Sequence, residues 1–161
     1  MSDLDVKIVK LGPIRVASFH AYGAGPENDA GNKLVAWAKP RGFLDTPGEH
    51  RVFGFDNPVP SPGSPNYGYE YWITVGPDIG SEDGVDIREF PGGLYAVARC
   101  EVKGNPHDII PATWMRLAAW LKGSNRYNHD ANREGLEEHI GPFPFDVSDD
   151  FTLDLYLPIR E

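Results

Sequence analysis

Three glutamates stand where a carboxylate could do chemistry. Glu70 lies inside the aromatic run "YEYWITV" (69–75), and Glu137 and Glu138 are adjacent in "LEEHI" (136–140). A carboxylate among rings is costly to bury alone, so it shifts toward its neutral form, meets a basic side chain or receives a cation. In a strand Glu70 and Trp72 share one face and Tyr69 and Tyr71 the other; Glu137 and Glu138 point to opposite faces, so only one of them can enter a cleft. A solvated glutamate or an arginine pair is the plainer role for Glu70, and a charged edge strand the plainer role for Glu137 and Glu138. His139, two residues after Glu137, is a candidate proton carrier, with a structural histidine as the bland alternative. Trp37, Trp72, Trp120 and Tyr95 are candidate ring faces for a planar or cationic ligand, each such contact being worth roughly 0.5–2 kcal/mol. Trp114 sits on the apolar stripe of its helix and reads as core, whereas Trp120 lies about 120° off that stripe.

Other chemistries find little support. The five histidines show no i, i+4 pair, and the single cysteine, Cys100, lies in the apolar run "LYAVARCEV", so neither a metal site nor a disulfide is expected. No nucleophile-elbow pattern occurs, and "GAGPEN" (23–28) lacks the glycine and lysine spacing of a phosphate loop, so no cofactor is expected. Fifteen Lys and Arg against twenty-four Asp and Glu give a net charge of −9, which disfavours direct DNA binding. "MSDLDVKIVKLG" is no signal sequence and no apolar run approaches the ~20 residues of a membrane span. The expectation is a cytoplasmic protein without membrane contact.

The elements that must position these residues come in two sets. "GPIRVASFHAYG" (12–23) and "GGLYAVARCEVKG" (92–104) both read as strands, and aligning Ile14 with Leu94 gives an offset of 80. An amphipathic helix follows each strand. Ala30, Leu34 and Trp37 mark the first; Trp114, Leu117, Ala118 and Leu121 mark the second, with Pro111 in its opening turn. Superposing Trp37 on Trp120 gives an offset of 83. The strand pair 51–56 and 69–75 completes the first set, and 134–140 and 151–159 the second. Tyr69, Tyr71, Ile73 and Val75 match Phe151, Leu153, Leu155 and Leu157 at an offset of 82. The chain thus reads as one α+β domain over 1–161, a duplicated β-α-β-β unit (about 5–80 and 84–160) with a pseudo-twofold axis and a ligand cleft at the seam. Residues 57–68, with prolines at 58, 60, 62 and 65, read as a stiff flap near the cleft mouth or as a plain rigid hairpin connection, paired by symmetry with 141–150.

"FGFDNPVPSPGSPNYGYEYWITV", "EFPGGLYAVAR", "WMRLAAWLKGSNRY", "LEEHI" and "LDLYLPI" together resemble the GyrI-like family, also seen as the effector-binding domain of AraC-type and multidrug-sensing regulators. The resemblance spans nearly the whole chain and is closest to stand-alone members. It implies two SHS2-like repeats, an antiparallel sheet with helices, and an aromatic cleft that takes up lipophilic, often cationic molecules around one acidic residue. The family pattern of glutamate followed two residues later by tyrosine falls on Glu137 and His139, which places Glu137 ahead of Glu138. The resemblance implies a stand-alone binder that sequesters or senses a drug-like cation. Hydrolysis of strained, cyclopropane-type electrophiles by Glu137 and His139 is the alternative. A third reading is a domain that docks on a separate transcription regulator.

Overall fold

A computed structural model describes residues 4–81, 85–144 and 150–161. The elements are β1 (Val6–Leu11), β2 (Ile14–Gly23), α1 (Pro26–Ala38), a 3-10 turn (Lys39–Arg41), β3 (Val52–Asp56), β4 (Tyr67–Thr74), β5 (Asp86–Phe90), β6 (Gly93–Val102), α2 (Pro106–Lys122), β7 (Asn128–His129), β8 (Leu136–Ile140) and β9 (Phe151–Arg160). Of the connection 141–150, residues 145–149 lie outside the described set.

Antiparallel strands run in the order β1-β6-β9-β8-β3-β4-β2-β5, with β7 appended to β9. That order is a palindrome of the two units: exchanging β1 for β5, β2 for β6, β3 for β8 and β4 for β9 regenerates it. The outer strands β1 and β5, absent from the sequence reading, are each added to the other unit, β1 on β6 and β5 on β2. Their alternation is weak because β1 carries Lys7 and Lys10 and β5 carries Asp86, Arg88 and Glu89 at a half-exposed edge.

The helices confirm the offset of 83 through burial. α1 buries Pro26, Ala30, Leu34, Trp37 and Ala38, and three of these, Ala30, Leu34 and Ala38, map at 83 onto the buried Thr113, Leu117 and Leu121 of α2. The strand offset of 80 is corrected. Ala17 and Ala21 of β2 pack under α1, whereas Ala96, Ala98 and Cys100 of β6 pack under α2. An even shift would swap the faces, because strand side chains alternate with period 2. A shift of 81 keeps them: the pair Ala17↔Ile73 maps with 81 and 82 onto Ala98↔Leu155, which is observed. The second helix also starts earlier than its apolar stripe implies. Asn105 caps it, its side chain accepting from the His107 amide at 3.0 Å, and Pro106 opens it, so Pro111 falls inside.

Each helix covers its own half of one sheet face. The other face curls into a shared core, where Val16, Phe53 and Trp72 of the first unit meet Tyr95, Leu136 and Tyr156 of the second. No helix among the described residues is long and apolar enough to cross a membrane.

Candidate functional site

The seam between the units is the pairing of β3 with β8, in register Val52↔His139, Phe53↔Glu138 and Gly54↔Glu137. Period-2 alternation then separates the two glutamates. Glu137 and His139 face the helices together with Val52, Gly54 and Asp56, and Glu138 faces the curled core beside Phe53.

Glu137 lies at the floor of a ring of aromatic groups. Its Oε1 accepts the Tyr69 hydroxyl at 2.8 Å and its Oε2 the Trp114 indole N–H at 3.0 Å. It keeps some accessible surface, and burial is the leading cause of its raised pKa. The nearby Glu27 pushes in the same direction, and the two donors offset only part of the shift. Tyr71 meets Tyr69 edge-on at 4.9 Å, Phe143 at 5.4 Å and His139 at 5.5 Å. His139 is held by burial at about 3 and is a neutral imidazole at physiological pH.

The backbone admits the Tyr69 ring at one close approach, whereas the Gly31 contact with Tyr71 is an ordinary one. A Cβ on Gly54 would stand 2.3 Å from the Tyr69 hydroxyl oxygen, so only glycine lets that ring lie across β3 to reach Glu137. At Gly31 of α1 a Cβ would be 3.6 Å from Tyr71. The equivalent position on α2, 31 + 83, is Trp114. One helix withdraws from the seam where the other projects a ring into it.

Two further carboxylates lie near Glu137. Glu27, in the first turn of α1, accepts the Tyr67 hydroxyl at 2.6–2.7 Å. Asp56 ends β3 and is pushed up to about 6, by burial first and then by the charges of Glu137 and Glu27. Among the described residues no Lys or Arg enters the interactions that set Glu137 or Asp56. The region is therefore acidic, ring-lined and without an internal cation. No three His, Cys, Asp or Glu side chains of the described residues converge as metal ligands.

Of the residues singled out in the sequence, Glu137, Tyr69 and His139 come together here. The others lie elsewhere. Glu138 holds Arg51 in a bidentate pair at 2.8 and 2.9 Å and accepts the Tyr156 hydroxyl at 2.7 Å. Glu70 is 1 % exposed on the curled face and accepts from Ser18 at 2.7 Å, Asn57 at 3.0 Å and the Trp72 indole at 2.6 Å, with Arg88 at 3.4 Å. Burial alone would raise its pKa, but these donors and Arg88 hold it below the usual carboxylate range. Glu70 and Trp72 thus form a closed structural network on the wrong face for the cleft. Tyr95 is fully buried beside Tyr156 under the Arg133 guanidinium, and Trp37 fills the α1 core against Phe19, Phe43 and Arg41. Trp120 packs half-buried on the α2 core. Trp114 packs against the α2 core as its place on the helix stripe implied, while its indole N–H also reaches Glu137; Glu27, Asp56, Tyr67 and Phe143 were not singled out from sequence. The usable signal was the Gly31/Trp114 pair under the helix offset.

The proline-rich connection is clamped at its base. Asn57 N–H donates to Gly68 at 2.8 Å and Gly68 N–H to Pro58 at 2.9 Å, while 58–66 are exposed. Tyr67, where the loop re-enters β4, is the residue bonded to Glu27.

A sequence model of the family described as Cass2, integron-associated effector binding protein, matches residues 7–159. A comparison with curated proteins finds no match. Among solved structures, the EcmrR C-terminal domain is similar with a TM-score of 0.67 at 14% identity, covering 98% of each chain. A hydrolase from Listeria innocua gives 0.66 at 11% identity, covering 99% of this chain and 94% of that one. SAV2435 bound to tetraphenylphosphonium gives 0.54 at 9% identity, covering 98% and 94%. At these identities the structures speak for the fold.

Proposed function

The chain belongs to the integron-associated effector binding protein family and has the GyrI-like effector-binding fold, a small-molecule-binding class; from that premise we propose that it takes up a lipophilic organic cation in the Glu137 cleft and thereby sequesters or senses it. The observation that carries this reading is a desolvated carboxylate given two neutral donors and, among the described residues, no counter-ion. A cation in the cleft supplies the missing charge. At ~4 Å and an effective dielectric near 20 the gross attraction is ~4 kcal/mol, and each ring face adds roughly 0.5–2 kcal/mol. Half-buried Trp114 offers such a face, and buried Tyr69 and Tyr71 would have to turn toward the ligand to add theirs. The tetraphenylphosphonium complex of SAV2435 supports the choice of ligand class through a shared fold.

The test is titration with tetraphenylphosphonium followed by tryptophan fluorescence. Saturable quenching is expected, weakened about 10- to 100-fold in Glu137→Gln, since a hydrogen-bonded charge is worth ~1.5–3 kcal/mol. Equal affinity in that variant, or no saturable response in the parent protein, overturns the reading. We place this activity in the cytoplasm, with a separate transcription regulator as the macromolecular partner.

Hydrolysis is the second reading, favoured by the similar fold of the Listeria innocua hydrolase and by the raised pKa of Glu137. Glu137 would take a proton from water as the oxygen bonds to a strained ring carbon, and the electron pair of the opened C–C bond would receive that proton. Neutral His139 would position the substrate. Product formation from a cyclopropane electrophile, read by mass spectrometry and lost in Glu137→Gln, separates catalysis from binding.

A further inference from the structure

A cavity of about 330 Å³ opens beside the cleft, where β3 begins and β8 ends. It is walled by Phe43, Leu44, Val52, Ile140 and Phe143, and by His139 on the cleft side. Its size falls at the lower end of the ~300–1,000 Å³ range of small-molecule sites. The polar groups on its wall are engaged. His50 is bonded to the Thr74 carbonyl at 2.7 Å and stacked on Phe43 at 4.3 Å. Arg51 is neutralised by Glu138 and bonded to Tyr156. Thr46 and Glu138 also line it, so the surface left to an occupant is mixed, with the apolar part on Phe43, Leu44, Val52, Ile140 and Phe143.

The same cavity shares a wall with the Glu137 cleft. His139 and Phe143 line it, meet each other edge-on at 5.1 Å, and both touch Tyr71, whose ring contacts the Tyr69 that holds Glu137. His139 follows Glu137 by two residues on the same strand face, ~7 Å along the strand. A neutral imidazole and a phenyl ring in contact make an uncharged partition, so a chain that turns these two rings aside desolvates no charge.

We propose that this cavity is a tail subsite: the ligand is elongated, its cationic head on Glu137 and its apolar chain running past His139 and Phe143 between the 42–51 loop and the end of β8. The inference rests on the cationic-cleft reading above and goes further by fixing the shape of the ligand.

The probe is a series of n-alkyltrimethylammonium ions from methyl to octyl, used below micelle formation and titrated by tryptophan fluorescence and calorimetry. Each methylene that enters apolar surroundings is worth about three- to fourfold in affinity, so octyl should bind roughly 100-fold more tightly than butyl. Shorter chains, which stay within the cleft, should differ little. Thr46→Trp and Ile140→Trp plug the cavity from its exposed loop and from β8. Both should cut the butyl-to-octyl gain below about 10-fold while leaving tetramethylammonium binding unchanged, with thermal unfolding verifying the fold. A flat series in the parent protein, or a gain that survives in both folded variants, overturns the tail subsite while the cleft reading stands. Failure of the whole series to bind overturns both.

Discussion

Asp56→Asn should stabilise the unliganded protein and weaken its hold on cations. Among the described residues Asp56 has no hydrogen-bond or ion-pair partner for its side chain, and its pKa rises from 3.8 to about 6 through burial and through the charges of Glu137 and Glu27. That displacement corresponds to ~3 kcal/mol at 1.36 kcal/mol per tenfold. Asp56 is half-buried, and solvent screening reduces the figure to ~1–1.5 kcal/mol. The sign follows from linkage. A carboxyl whose folded pKa lies above its unfolded value binds more protons in the folded state, so stability falls as pH rises from about 3.8 to about 6 and stays reduced above. Removing the charge should therefore raise Tm at pH 7.5 by about 2–5 °C for a chain of this length. At pH 3.5 the two proteins should unfold alike, because Asp56 is protonated in both states. Thermal denaturation by circular dichroism from pH 3.5 to 8 measures this directly. Equal Tm values at pH 7.5, or a difference that persists undiminished at pH 3.5, would refute the account of an uncompensated acid. The same variant should bind tetraphenylphosphonium more weakly, since part of the attractive field is gone.

Gly54→Ala should destabilise by ~1–3 kcal/mol in urea unfolding, because its methyl would collide with the Tyr69 ring at 2.3 Å, and it should lower cation affinity by displacing the hydroxyl from Glu137. Glu70→Gln should destabilise by ~1–3 kcal/mol, since it breaks a buried network of four donors, yet leave tetraphenylphosphonium affinity within about twofold; a large affinity loss would place Glu70 in the cleft after all. Limited proteolysis of the 58–66 tip should slow when the cation is bound if the loop acts as a flap over Tyr67 and Glu27. Cleavage at the same rate would mark it as a plain rigid connection.

The repeat was legible in the sequence because helices announce their buried side at a period that two copies share, and Leu34 and Leu117 do so without ambiguity. The strand register was less so. "IRVASFHAYG" and "LYAVARCEV" are apolar on both faces, since one face meets a helix and the other the curled core, and a run without alternation cannot be aligned to better than one residue. That single residue decides which face Ala17 and Ala98 take. The same ambiguity explains Glu70: an acid in an aromatic strand signals burial, but its face is set by a ladder with β2 that supplies Ser18. Only the family resemblance put Glu137 ahead of Glu138, and the pairing of β3, with Gly54 opposite Glu137, is what separates their faces. Asp56 and Glu27 escaped notice because each lies at the end of its element, where local pattern carries no sign of what the fold brings alongside.

The exchange of β1 and β5 between the units sets how the molecule can adapt to a guest. The Gly12–Pro13 link carries the chain from one margin of the sheet to the other, Pro91–Gly92 carries it back, and a side chain at Gly92 would run into the Leu11 carbonyl at 2.0 Å. The halves are laced together at both rims as well as at the midline. A hinge that spreads them would have to unzip a ladder belonging to the opposite unit. On the proposed binding reading, adjustment to differently shaped guests would fall to the rotamers of Tyr69, Tyr71, Trp114 and Phe143, swivelling rings on a fixed frame.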